Sequence, residues 1–175
     1  MTGKLLAVVI LVTALVAGAA IYYFQVYYYY EEIPATGPGD VQLTAKGAAE
    51  PEPLAHDNFR AIDAMSSPIR YRACFETRVD PATIAATYQP YPRAVPLQAP
   101  GWFSCFDADA IGAALRDGTA RAYLGEAHIR YGIDRVVAIT DAGKGHVWHQ
   151  INRCGKVVFD GRPAPEGCPE PKEGD

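Results

Sequence analysis

Apolar residues are distributed in two different ways along this chain. The first way is a run from Leu5 to Phe24, LLAVVILVTALVAGAAIYYF, which has no charge and no proline. An α-helix rises about 1.5 Å per residue, so this run is roughly 30 Å long, the thickness of the hydrocarbon core of a bilayer. We therefore predict a transmembrane helix over residues 5–30, whose tyrosines between positions 22 and 30 form an aromatic belt at the lipid headgroups.

The charges beside this run predict its orientation. Lys4 is the only charge before it, and Glu31 and Glu32 follow it. The positive-inside rule then predicts a cytoplasmic N-terminus in the bacterial inner (cell) membrane and export of the rest of the chain. The alternative is a signal peptide cleaved at Ala17-Gly18-Ala19. We favour the uncleaved anchor because only one lysine precedes the run and apolar residues continue past the cleavage motif.

After residue 30 the apolar positions form short alternating runs, which are typical of strands, and two helical stripes. Residues 69–75 are the clearest strand, and Asp80 and Asp107 are placed as N-caps of two short helices. Further strands are predicted over 135–140, 146–152 and 156–159, with a hairpin loop at 141–145. Residues 120–129 fit either a helix or a strand, and we favour a strand. The predicted fold class is α+β: one N-terminal transmembrane helix, then a small antiparallel-sheet domain with two short helices.

Composition divides the chain into five segments. Residues 31–55 are rich in proline and glycine and are predicted to be a linker, although residues 41–44 alternate like a short strand. The predicted segments are a cytoplasmic N-terminus (1–4), a transmembrane helix with its tyrosine belt (5–30), the linker (31–55), a periplasmic α+β domain (56–160) and an acidic Pro/Gly tail (161–175).

The charge balance argues against nucleic acid as a partner. The chain has 16 basic and 20 acidic residues, a formal net charge of −4, and no basic cluster. Membrane lipid is the predicted partner of the helix, and a larger inner-membrane complex is the second predicted partner.

Four cysteines, all after the apolar run, indicate two disulfides in an oxidising compartment. Three pairings are possible, and we favour the one that joins nearest neighbours, Cys74–Cys105 and Cys154–Cys168. A zinc site is the less favoured alternative, because no C-x-x-C motif is present. No cofactor or metal is therefore predicted.

Two features are candidates for a partner surface. The segment from Tyr88 through Tyr91 to Trp102 contains four prolines, which gives it extended character. Arg70 and Arg72 fall on one face of a strand, where they would receive an anion or the carboxylates of a partner. We favour the plainer interpretations, a structural loop and a solvated strand face.

The residues that carry catalysis in other proteins do not form a recognisable motif here. On a strand, His146 and His149 point to opposite faces, so they make no metal pair. Cys105 would need a nearby histidine to act as a nucleophile, and a disulfide is the favoured role. No catalytic residue is assigned, and we predict that the chain is not an enzyme.

Several short motifs carry a family resemblance. They are SSPIRYRACF at 66–75, GWFSCFDA at 101–108, YGIDR at 131–135, and WHQ at 148–150 with Cys154-Gly155. In these motifs and in its anchor, the chain resembles an uncharacterised single-pass membrane protein family of alphaproteobacteria, some members of which are labelled histidine kinase. The resemblance implies no activity and no site residues. The sequence does not support the kinase label, because it has no glycine-rich ATP-lid motif and no phosphoacceptor helix.

Three functions are compatible with these features. The favoured one is a non-catalytic accessory or assembly factor for a membrane protein complex. The second is a small-molecule or stress-sensing module that holds its ligand under the 88–102 loop. The third is an envelope hydrolase or thiol enzyme that uses Cys105, His146 or His149.

Overall fold

The computed structural model describes residues 2–170. The first helix, α1, covers Thr2–Tyr23 and continues as a π-helical segment over Phe24–Tyr28. The remaining elements are β1 (Glu31–Ile33), a 3₁₀ turn (Pro38–Asp40), β2 (Gln42–Thr44), β3 (Pro51–Pro53), β4 (Asp57–Asp63), β5 (Arg72–Glu76), α2 (Pro81–Thr87), α3 (Ala108–Asp117), β6 (Ala120–Arg130), β7 (Ile133–Thr140), β8 (Lys144–Ile151) and α4 (Arg153–Val158).

The N-terminal helix is long and apolar enough to cross a membrane. It meets that criterion over residues 3–28, and none of its most apolar window is buried against the rest of the chain. Helices of this length and composition are membrane anchors or signal sequences.

The domain after the helix is built on one antiparallel sheet of six strands, in the order β1-β4-β5-β8-β7-β6. A second, two-stranded sheet pairs β2 with β3. The predicted α+β class, with an apolar helix followed by an antiparallel-sheet domain, is confirmed.

Side chains alternate between two buried layers, one on each face of the large sheet. The first layer lies under α2 and the β2–β3 hairpin, and it contains Leu43, Phe75 and Ile84. The second layer lies under α3 and the loop before it, and it contains Phe106 and Trp148. Both faces of the sheet are therefore covered, which is why the strands carry apolar residues on both sides.

The helix boundaries follow the predicted capping residues. The Asp80 carboxylate accepts a hydrogen bond from the backbone N–H of Thr83, and Pro81 is the first residue of α2. Asp107 caps α3 in the same way, and Gly118 ends that helix with φ 77°, a left-handed conformation that glycine adopts without strain. Both predicted helices are confirmed.

The prediction that residues 31–55 form a linker is wrong. Strand β1 joins the large sheet, where Ile33 pairs with Ala61. Val41 and Leu43 are 1% and 0% exposed, and both belong to the first buried layer. Proline and glycine divide this segment into short pieces, but its few apolar residues fill the core, so the folded domain begins directly at residue 31.

Two further predictions at the C-terminal end need correction. Residues 156–159 were expected to form a strand, yet they lie in and just after α4. The Asn152 side chain accepts hydrogen bonds from the backbone N–H groups of Cys154 and Gly155, so it caps a third short helix. Of the predicted tail, residues 171–175 lie outside the described residues.

The disulfides join nearest neighbours along the chain, as predicted. Cys74 of β5 is bonded to Cys105 in the loop before α3, with a Cα–Cα distance of 6.2 Å. Cys154 of α4 is bonded to Cys168, with a Cα–Cα distance of 5.8 Å. The first disulfide fastens the 88–107 loop to the sheet, and the second fastens the C-terminal segment to α4.

Candidate functional site: the junction between helix and domain

The end of the apolar helix is bound directly to the domain. The indole N–H of Trp102 donates a hydrogen bond of 2.7 Å to the backbone oxygen of Val26. The Nη2 group of Arg70 donates a hydrogen bond of 2.8 Å to the side-chain oxygen of Gln25. Between these two contacts lies the Tyr30 ring, whose centroid is 6.1 Å from that of Trp102.

Charge and backbone pairing reinforce this junction. The Arg70 guanidinium lies over the Tyr30 ring at 5.5 Å, within the range of a cation–π interaction. Strand β1 begins at Glu31, the next residue, and pairs immediately with β4. Helix and sheet therefore follow one another directly, and these contacts hold the helix end against the domain.

Arg72 supports the junction from inside the domain, although the sequence makes it a candidate for a partner surface. It is 3% exposed, and its guanidinium donates hydrogen bonds to the carbonyl oxygens of four residues. These are Ile69, Tyr71, Leu97 and Gln98, at 2.7 to 3.0 Å. The planar fork of five N–H donors suits this role, because a proline-rich loop exposes carbonyls that no strand partner satisfies.

Arg72 keeps its charge despite its burial. Burial lowers the pKa of its guanidinium to about 10, which still leaves it protonated at neutral pH. None of the ion pairs among residues 2–170 involves Arg70 or Arg72. Two cations without an ion-pair partner therefore lie near each other at the junction.

A cleft of about 500 Å³ opens between the helix end and the domain at this point. Its walls are Gln25, Val26 and Tyr30 on the helix side, and Arg70, Arg72 and the 97–100 segment on the domain side. We call this space the junction cleft. Three of the five predicted partner-surface residues, Arg70, Arg72 and Trp102, thus come together at the junction.

The other two predicted residues lie elsewhere. Tyr88 is only 9% exposed and packs in the first buried layer, so its assignment to a partner surface is wrong. It follows the last turn of α2, where its backbone pairs with Ala45 and turns the ring inward. Tyr91 is half-buried in a second cleft, at the opposite end of the 88–102 segment from Trp102.

The second cleft, about 540 Å³, has a buried carboxylate at its base. Asp134 accepts hydrogen bonds from the Tyr91 hydroxyl at 3.0 Å, the backbone N–H of His128 at 3.0 Å and the Asn152 amide at 2.7 Å. Burial, followed by the charge of Asp134, raises the pKa of Tyr91, which remains a neutral donor. We call this space the Tyr91 cleft.

The histidines of β8 have structural environments. The Nδ1 atom of His149 is 2.9 Å from the backbone oxygen of Pro68, and its Nε2 atom accepts a hydrogen bond of 3.2 Å from Arg135. Its ring stacks on Tyr71 at 4.7 Å. Burial, followed by the charge of Arg135, lowers the pKa of His149 to about 3, so the ring is neutral at physiological pH.

The remaining residues of the predicted thiol-enzyme alternative are also separated. His146 contacts Phe106 on the other face of the sheet, and burial lowers its pKa. The opposite orientation of His146 and His149 is therefore as predicted. Cys105 is held in a disulfide and offers no thiol. Within residues 2–170, no three potential metal ligands lie close enough together to hold an ion.

Sequence reasoning missed Gln25 and Asp134. Gln25 is the single amide within a run of aromatic and apolar residues, and that isolation is a sequence signal for a specific polar contact. Asp134 stands in the YGIDR motif at a strand position that alternation assigns to solvent, and no local pattern indicates that the 88–102 loop covers it.

Comparison with protein families identifies the domain. The family model of DUF6446, a family of unknown function, matches residues 41–169. The chain belongs to the DUF6446 family. This confirms the resemblance to an uncharacterised family, whereas the alphaproteobacterial origin stays a prediction.

The DUF6446 match divides the junction into two parts. Arg70, Arg72 and Trp102 lie within the matched range, whereas Gln25, Val26 and Tyr30 precede it. No curated protein and no solved structure matches the chain. The geometry of this DUF6446 protein itself is therefore the basis for its proposed function.

Proposed function

We propose that this DUF6446 protein is a single-pass membrane protein that serves as a non-catalytic accessory or assembly factor for a larger membrane complex. Its N-terminus lies in the cytoplasm, and its domain is held at the periplasmic face of the inner membrane. The observation that carries this proposal is the junction, where Arg70 and Trp102 fix the domain to the helix end. A domain with a fixed orientation presents the same surface to every neighbour in the plane of the membrane.

The aromatic side chains at the helix end support retention of the anchor. Six of them, in positions 22–24 and 27–29, are 41–63% exposed. Cleavage after Ala19 would leave these aromatic side chains exposed to water on a short N-terminal segment. A bilayer interface provides the environment that tyrosine prefers. The two disulfides support an oxidising compartment for the domain.

The interactions of the candidate catalytic groups support a non-catalytic role. Cys105 is bonded to Cys74, and both ring nitrogens of His149 are engaged by neighbouring groups. These residues therefore have the contacts of structural elements rather than of a nucleophile and its base.

Affinity capture of the tagged full-length protein from native membranes in mild detergent tests this proposal. We expect a stoichiometric partner that is an integral membrane protein. The control variant carries a Gly-Ser-Gly-Ser insertion between Tyr30 and Glu31, which keeps every surface but frees the orientation of the domain. Reduced capture by this variant is expected. The absence of a stoichiometric partner for the wild-type protein would contradict the proposal.

The Tyr91 cleft favours a second candidate function, the binding of a small molecule. Pro90, Pro92 and Val157 give the cleft apolar walls, and Asp134 and Asn152 place polar groups at its base. Apolar walls with a few convergent polar groups are typical of ligand sites. A broad metabolite screen by thermal shift tests this function. A ligand that raises the melting temperature of the wild-type protein but not of a Tyr91→Ala variant would support small-molecule binding. A screen that finds no such ligand would contradict it.

A further inference from the structure

The junction cleft has an uneven charge distribution. Its walls contain the guanidinium groups of Arg70 and Arg72 and no acidic residue. The Asp63 carboxylate acts on Arg72 electrostatically, but it does not line the cleft and forms no ion pair with that residue. An anion that enters the cleft therefore meets two cations and no opposing charge.

Some N–H donors of the two arginines that line this cleft have no hydrogen-bond partner among the described residues. Arg70 uses two of its five N–H groups, both on Gln25, and Arg72 uses four on backbone carbonyls. Three donors of Arg70 and one of Arg72 thus have no partner among residues 2–170. A phosphate group, with several acceptor oxygens and a negative charge, matches such a set of guanidinium donors.

The position of the cleft indicates where the phosphate comes from. Gln25, Val26 and Tyr30 form one wall, and they belong to the tyrosine-rich end of the helix. Tyrosines of a membrane helix lie at the headgroup level, which is also the level of the phosphates of glycerophospholipids. Ile69 and Leu97 also line the cleft, so it offers apolar surface as well as cations.

We propose that the junction cleft binds the phosphate of a glycerophospholipid, with Arg70 as the main ligand and Arg72 as a second cation behind it. This inference rests on the proposed membrane anchoring. It adds a specific lipid site to the junction, so that the bilayer itself completes the contact between the helix and the DUF6446 domain.

Native mass spectrometry of the full-length protein tests the site. The delipidated protein in detergent is mixed with equal amounts of phosphatidylglycerol and galactosyl diacylglycerol, which has similar acyl chains but no phosphate. We expect one retained phosphatidylglycerol per chain and no comparable retention of the galactolipid. Equal retention of the two lipids would overturn the proposal, because it would show a site without phosphate recognition.

Matched variants separate the cation from the docking contact. Arg70→Gln removes the main ligand and is expected to reduce phosphatidylglycerol retention about tenfold. Arg78→Gln makes the same charge change at a side chain that is 93% exposed beyond the other end of β5 and is expected to leave retention unchanged. Gln25→Ala removes the side-chain acceptor of Arg70 but keeps the cation, so it should reduce lipid retention less than Arg70→Gln does. Equal losses in Arg70→Gln and Gln25→Ala, or in Arg70→Gln and Arg78→Gln, would overturn the proposal.

Inorganic phosphate distinguishes the source of the anion. Binding of inorganic phosphate alone, at the same protein concentration and with the same dependence on Arg70, would overturn the assignment to a lipid. The same spectra report the mass of the chain. A chain that lacks its first 19 residues would contradict the proposed anchor, whereas an intact chain without a lipid adduct would contradict only the phosphate site.

Discussion

Arg72 and His149 are buried on adjacent strands, but the sheet directs their side chains to opposite faces. Arg72 pairs in register with Trp148, the neighbour of His149, and lies over the Phe106 ring. His149 stacks on Tyr71 and is neutral. Each residue satisfies backbone carbonyls that the irregular segments beside the sheet leave unpaired, which is the usual condition for polar groups in a core.

Replacement of Arg72 by lysine is expected to destabilise the domain. A lysine has three donors on a single nitrogen, so it cannot reach carbonyls spread around a planar guanidinium, and unpaired buried carbonyls result. We expect Arg72→Lys to lower the free energy of unfolding by about 2–4 kcal/mol in denaturant titrations followed by near-ultraviolet circular dichroism. Arg78→Lys, at a side chain that is 93% exposed, is the control. Equal stabilities of the two variants would contradict the structural role of Arg72.

His149 makes the stability of the domain dependent on pH. Its folded-state pKa of about 3 lies below the ordinary value of 6.5, so the unfolded chain binds more protons between these values. The contribution of His149 is therefore complete above pH 6.5 and is lost as the pH falls towards 3. Asp63, whose pKa is raised by burial, acts in the opposite direction, so a comparison with a variant is needed.

We expect the free energy of unfolding of His149→Gln to fall less steeply with decreasing pH than that of the wild-type protein. Between pH 7 and pH 4, the wild-type protein should lose about 3 kcal/mol more of its free energy of unfolding than the variant loses. Each unit of pKa shift corresponds to about 1.4 kcal/mol. Denaturant titrations at both pH values measure this difference. Parallel pH profiles would show that His149 is not held neutral by its surroundings.

At the scale of secondary-structure elements, the disulfides hold irregular segments onto regular ones. Cys74–Cys105 joins residues that are 31 positions apart, and Cys154–Cys168 joins residues that are 14 positions apart. In the chain-entropy account, closure of the longer loop restricts the unfolded chain more. The first disulfide also fixes the 88–107 loop, which supplies Trp102 to the junction.

Removal of each disulfide is expected to destabilise the domain to a different degree. The pair Cys74→Ala and Cys105→Ala should cost about 3.7 kcal/mol, and the pair Cys154→Ala and Cys168→Ala about 3 kcal/mol. Denaturant unfolding of the two double variants measures which one loses more free energy of unfolding. A larger loss from the C-terminal pair would contradict this assignment of roles.

Local patterns predicted most of the regular elements, because these depend on neighbours in sequence. The caps Asp80, Asp107 and Gly118 set both predicted helices, and the alternation in β5 placed Phe75 and Cys74 on opposite faces. The linker was misjudged because proline and glycine dominate its composition, while a few apolar residues determine its burial.

The junction could not be predicted from local patterns, because it joins residues that are far apart in sequence. Arg70 and Gln25 are separated by 45 positions, and Trp102 and Val26 by 76. The sequence indicated that Arg70 and Trp102 were available for contacts, and the tyrosine belt indicated an interface. The pairing of β1 with β4 in the folded domain brings the helix end close to Arg70 and Trp102.

At the scale of the whole molecule, we expect the junction to hold the apolar helix and the DUF6446 domain as one rigid unit. The domain follows the helix without a linker, and β1 is the outer strand of its large sheet. A rigid unit of this kind transmits the tilt and rotation of the helix to the domain. The proposed partner binding and the proposed lipid site both depend on this arrangement.

Electron–electron distance measurements on the full-length protein in lipid nanodiscs test this claim most directly. One spin-label pair joins the helix to the domain, at Ala20→Cys and Ala142→Cys, and a reference pair lies within the domain, at Arg130→Cys and Ala142→Cys. All three positions are exposed. A rigid junction predicts that the helix–domain distance distribution is as narrow as the reference distribution. A broad or multimodal helix–domain distribution beside a narrow reference would contradict it.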